Sequence, residues 1–77
     1  MNPIKTFREY RGLTQAKLAK LTNLSVVMIK KLESGETKGS LKSLKAIAKA
    51  LNLNIEDIFY AFYKDNKVYV IKNDELS

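Results

Sequence analysis

Two apolar segments of this chain, each with helical periodicity, are separated by only three residues, Thr22-Asn23-Leu24. Thr14 can cap the first segment, in which Ala16, Leu18, Ala19 and Leu21 are the apolar members. Ser25 can cap the second, and Gly35 stands where a left-handed C-terminal residue belongs. A link this short forces the two helices to meet at a sharp angle. Asn23, in the middle of the link, tolerates positive φ better than most non-glycine residues.

Similar signals mark three further helices. Asn2 and Pro3 suit an N-cap and first turn, Ile4 and Phe7 supply a short apolar stripe, and Gly12 ends it. Ser40 caps a fourth helix whose Leu41, Leu44, Ile47, Ala48 and Leu51 form a buried stripe. Lys42, Lys45 and Lys49 occupy another side of it and read as a solvated face. Asn52 can end that helix, and Asn54 with Asp57 three residues later opens a fifth.

The chain then changes character. Residues 59–72, FYAFYKDNKVYVIK, are aromatic and β-branched, and Val68, Tyr69, Val70 and Ile71 read as a strand. Residues 60–63 fit either a hairpin with that strand or a continuation of the fifth helix. A lone short strand is unstable, so its partner is the chain itself, a second copy or another protein. The expected fold is all-α: five helices, with a short C-terminal β-strand or hairpin. The expected organisation is a helical domain over 1–60 and an extension over 61–77.

At 77 residues the length argues for one domain. The chain has no cysteine and no histidine, so it lacks thiolate metal ligands, disulfides and the commonest general base. With no phosphate loop or paired carboxylates either, an enzyme is not expected, nor is a cofactor or a metal. No stretch approaches the roughly 18 apolar residues of a membrane span, and the start shows no signal peptide, so a cytoplasmic protein is expected. The net charge is +6 and unevenly spread: residues 1–55 hold 11 basic and 3 acidic groups, residues 56–77 hold 3 and 5. A basic body suits a polyanionic partner.

Residues 13–59 resemble the phage repressor and Cro-type helix-turn-helix family of DNA-binding proteins. The resemblance rests on Thr14-Gln15, Leu18-Ala19, Ser25, Ile29, Leu32-Glu33, Gly35, Ser40-Leu41 and Ala50-Leu51 at matching spacing. Two positions depart from the pattern. Asn23 replaces the usual turn glycine, and Gly39 stands where proline is frequent, which can loosen the loop. The resemblance implies a five-helix lambda-repressor-like domain that binds a palindromic double-stranded DNA operator as a homodimer. It implies a phosphate contact for Gln15, a salt bridge between Arg8 and Glu33, and a second phosphate-binding segment at Thr37 and Lys38. It aligns Val26, Val27 and Lys31 with base-reading positions.

The third helix can be sorted by angle, at about 100° per residue. Ile29 and Leu32 face inward with Glu33, while Val27, Lys30, Lys31 and Ser34 face outward. Val26 and Met28 lie on opposite flanks. Valine cannot hydrogen-bond a base edge but can pack on a thymine methyl, and lysine can donate to guanine O6 and N7. Val26 and Val27 are therefore expected to meet thymine methyls, and Lys31 a guanine or a phosphate. The alternative packs Val26 against helix two and leaves Val27 alone to read. Met28 either fills a core gap or touches the sugar-phosphate wall. Lys17, Lys30, Lys38 and Arg8 form the expected phosphate-binding group.

The leading functional expectation is a transcriptional regulator, a repressor of phage or mobile-element type. The alternative is a protein-interaction module, such as an antitoxin or a regulator's partner, acting through the C-terminal extension. Both are compatible with dimerisation through Val68, Tyr69, Val70 and Ile71.

Overall fold

The computed structural model describes residues 3–65, with side chains as far as residue 61. Five helices follow one another: α1 Pro3–Tyr10, α2 Gln15–Thr22, α3 Val26–Ser34, α4 Leu41–Ala50 and α5 Ile55–Asp65. The described residues contain no strand, as an all-helical domain requires. Residues 60–63 continue α5, so the hairpin alternative for them falls away and the helix runs past the boundary at residue 60. Val68–Ile71 lie outside the described residues.

Helices α2 to α5 start where a short polar side chain satisfies a backbone N–H group. Thr14 accepts from the backbone N–H of Lys17, Ser25 from that of Met28, and Ser40 from that of Ser43. Ser43 returns the favour at the backbone N–H of Ser40, closing a capping box. At α5 the Asp57 carboxylate accepts from the Asn54 N–H at 2.9 Å. The C-termini of α2 and α3 turn through left-handed residues, Asn23 at φ 61° and Gly35 at φ 83°. Asn23 thus takes the conformation for which glycine is usual in this turn.

One core joins all five helices. Ile4, Leu18, Ile29, Ile47, Leu51 and Ile58 are wholly buried, with Leu32, Leu44, Ala19 and Ala48 beside them. Helix α2 packs on α3 and α4, α4 on α5, and α1 on α3 and α5. This arrangement braces the α2–α3 angle from outside the turn.

The buried faces are narrower than the apolar patterns suggest. Ala16 is exposed, as are Leu21 and Leu41 at 51% and 53%, so none of the three joins the core. Leu21 lies about 100° around α2 from Thr22, which takes the inward position instead. Thr22 tolerates burial because its hydroxyl is within hydrogen-bond reach of the Leu18 and Ala19 carbonyls, at 2.8 and 3.1 Å. Leu41 occupies the first turn of α4, before the helix meets its neighbours.

The backbone at Gly39 itself calls for glycine. It sits at φ 76°, and a Cβ built there would stand 2.6 Å from Leu32 Cδ2 and 3.0 Å from Ser43 Oγ. The loop presses on the core side chain of α3. Proline, with φ near −65°, cannot take this backbone.

Candidate nucleic-acid interface

A buried polar cluster ties the start of α2 to α3. Arg8 of α1 points inward and is only 7% exposed, as is Glu33. Its Nε donates to Glu33 Oε2 at 2.5 Å and its Nη2 to Glu33 Oε1 at 3.1 Å, a two-pronged ion pair. The remaining nitrogen, Nη1, donates to the Leu13 carbonyl at 2.7 Å. The hydrogen bond with Glu33 raises the Arg8 pKa above its ordinary value, more than burial lowers it, and the charges of Glu33 and Glu9 raise it further. Arg8 therefore stays charged under any physiological condition.

Gln15, the first residue of α2, completes the cluster by donating from Nε2 to Glu33 Oε1 at 3.0 Å. The amide is thereby oriented, with one N–H on Nε2 still available to an outside acceptor. All three Arg8 nitrogens are engaged within the protein. The structure brings Arg8, Glu33 and Gln15 together, and burial leaves Arg8 as their brace rather than as a free cation.

The outer side of α3 is built differently. Val26 is 37% exposed and Val27 61%, and Lys30 and Lys31 are exposed beside them. Met28 is half-buried and packs against the core, which answers for its position on the flank. Lys31 Nζ lies 3.9 Å from Glu36 Oε2, with both side chains well exposed, so this pair holds Lys31 weakly. The α3–α4 loop holds Thr37 half-buried: its N–H donates to the Lys31 carbonyl at 3.3 Å and its Oγ1 accepts from the Gly39 N–H at 3.3 Å. Lys17 and Lys38 are exposed.

The helix termini add to this field. The first turns of α2, α3 and α4 contain no acidic residue, so their positive dipole ends stand uncompensated. Helix α5 differs, with Glu56 and Asp57 in its first turn. Backbone N–H groups and cations on the side of α2, α3 and the α3–α4 loop suit phosphate oxygens.

Residues 4–58 match the family model described as helix-turn-helix, of Cro/C1 type. The chain belongs to the Cro/C1-type helix-turn-helix family. Among curated proteins it is similar to an uncharacterised HTH-type transcriptional regulator of Methanocaldococcus jannaschii. Identity is 39% over 66 residues, which span 86% of this chain and 97% of the relative. No solved structure matches it. Membership of a Cro/C1-type family implies DNA binding and makes α2 and α3 the helix-turn-helix pair. Among the described residues, no helix of this Cro/C1-type protein is long and apolar enough to cross a membrane.

One contact had no signal in the sequence. Arg11, in the α1–α2 link, donates from Nε to the Leu51 carbonyl at 2.9 Å and lies over the Tyr10 ring, 5.7 Å from its centroid. It satisfies a carbonyl at the end of α4 and fixes the link from the scaffold side. With the Arg8–Leu13 bond, the link is held at two points just before Gln15.

Proposed function

We propose that this DNA-binding protein is a sequence-specific transcriptional repressor of the phage or mobile-element kind, with α3 in the major groove. The observation that carries the reading is the outer face of α3, where exposed Val26 and Val27 stand beside exposed Lys30 and Lys31. Adjacent exposed valines at the start of this helix suit thymine methyls in the major groove. Val27, the more exposed, is the principal reader; Val26 contributes from the flank, and Lys31 donates to a guanine. Gln15, Lys17, Lys30, Thr37 and Lys38 hold the phosphates on either side of the groove, with Gln15 aimed by Glu33. The relative's description as a transcriptional regulator supports a regulatory role. Repression requires nothing further than occupancy of the operator.

The protein acts as a homodimer on a palindromic operator, pairing through Val68, Tyr69, Val70 and Ile71. The β-branched and aromatic composition of that segment supports the pairing. Two experiments test these statements. Selection of bound duplexes from a random library is expected to enrich a two-fold-symmetric motif; unenriched sequence after repeated rounds would contradict specific binding. Sedimentation is expected to show a dimer that Val68→Asp with Val70→Asp converts to monomer, whereas an unchanged dimer would place the interface elsewhere.

A further inference from the structure

Helix α4 carries Lys42, Lys45 and Lys49 on the side opposite its buried Leu44, Ile47 and Ala48. At about 100° per residue the three lysines fall within an arc of roughly 60°. At a rise of 1.5 Å per residue they span about 10 Å along the axis. All three are exposed, and none takes part in an ion pair among the described residues. Helix α4 contains no acidic residue, and its cap is built from two serines rather than a carboxylate. Glu56 lines the same shallow cleft as Lys45 and Lys49.

The stripe does not stand alone. It begins in the first turn of α4, immediately after the loop that carries Thr37 and Lys38. We propose that Lys42, Lys45 and Lys49 form a second DNA-backbone contact, which takes phosphates flanking the operator half-site and continues the track begun at Thr37 and Lys38. The inference rests on the reading that this loop meets DNA. From sequence alone the same lysines read as a solvated face.

Three features favour a nucleic-acid backbone over a protein partner. Protein interfaces are depleted in lysine and enriched in aromatic residues, and this face has three lysines and no aromatic. Ala46, beside the lysines on this face, is small, so a rod-like polyanion can approach closely. Laid along the duplex axis, a span of about 10 Å covers roughly three nucleotides of one strand at a rise of 3.4 Å each. Lysine, a flexible point charge, suits such a contact, which needs no base recognition.

The test compares two duplexes: the shortest that retains full sequence preference, and the same one extended by about ten base pairs, one helical turn, at each end. Affinity is measured across a salt series for the parent protein and for Lys42→Gln/Lys45→Gln/Lys49→Gln. The parent is expected to bind the longer duplex about tenfold or more tightly at low salt, with a log K against log salt slope steeper by about 2–3 for each protomer of the dimer. The triple variant is expected to bind the short duplex as the parent does and to lose the length dependence. Because the three positions are exposed, the variant is expected to melt with the parent, which thermal unfolding checks.

Three results would overturn the inference. Parent and variant could show the same length dependence. The variant could weaken on both duplexes equally, which would reduce the stripe to a general field. The variant could instead lose only the binding of an acidic protein, which would make the face a protein-docking surface. If the parent binds no DNA of either length, the functional reading itself fails along with the inference.

Discussion

Glu33→Ala is expected to destabilise the protein by about 3–5 kcal/mol, the largest effect of any single substitution at its polar sites. The reason is the group left behind. Arg8 remains buried and charged, and it loses the partner of two of its three donor nitrogens. Domain stabilities are typically about 5–15 kcal/mol, with small domains toward the low end, so most of the margin disappears. The midpoint of thermal unfolding is expected to fall by about 15–30 °C, at roughly 4–8 °C per kcal/mol. Removing both partners, as Arg8→Met with Glu33→Leu, is expected to restore most of the loss, because no charge is left stranded. Gln15 still loses its acceptor in that double variant, so DNA affinity is expected to stay low while stability returns. A double variant as unstable as Glu33→Ala would show that the cost lies in packing and not in the stranded charge.

Gly39→Ala is expected to cost about 2–4 kcal/mol, far more than an exposed loop position usually does. Two penalties act together. The backbone at φ 76° costs an L-residue roughly 1–2 kcal/mol. The new methyl would also stand 2.6 Å from Leu32 Cδ2, and Leu32 is 2% exposed with little space to yield. Overpacking of that kind typically costs about 1–3 kcal/mol. Gly35 offers the control. It too is left-handed, at φ 83°, but a Cβ there meets nothing within 4 Å, so Gly35→Ala should cost only the backbone part. Equal losses at the two positions, measured by denaturant unfolding, would remove the Leu32 contact from the explanation.

Much of the architecture was legible because its signals are local. Thr14, Ser25 and Ser40 cap through their own hydroxyls, and Asn23 and Gly35 turn through their own backbone, so each acts within a few residues of itself. The inward faces of α3 and α4 follow from periodicity, down to Ile29, Leu32, Leu44 and Ile47. What escaped depends on other elements. Leu21 and Leu41 match their helical stripes but lie where no neighbour covers them. Thr22 looks polar and is buried, because its hydroxyl is satisfied by its own helix. Arg11 reaches the Leu51 carbonyl across 40 positions of sequence, a pairing no periodic pattern encodes. Gly39 read as slack, whereas its lack of a side chain serves a close approach.

The candidate interface divides the same way. The outward face of α3 was readable from angles alone, and exposure of Val27, Lys30 and Lys31 agrees with them. The Arg8–Glu33 contact came from family resemblance, since nothing local links residues 25 positions apart. The resemblance also assigned Gln15, as a phosphate contact that braces the recognition helix, and the structure adds the partner that holds it. The Gln15 amide is held by the same carboxylate that pairs Arg8, so one buried charge both braces the helices and aims a donor outward.

The proposed reading of thymine methyls by valine side chains on α3 is open to direct test. The direct measurement is operator selection performed in parallel with the parent protein and Val27→Ala. Val27 is 61% exposed, so the substitution should leave the fold intact. The parent is expected to enrich thymine at one position of each half-site. The variant is expected to lose preference at that position, by about 1 kcal/mol or more, and to keep it elsewhere. Identical motifs from the two proteins would contradict the account.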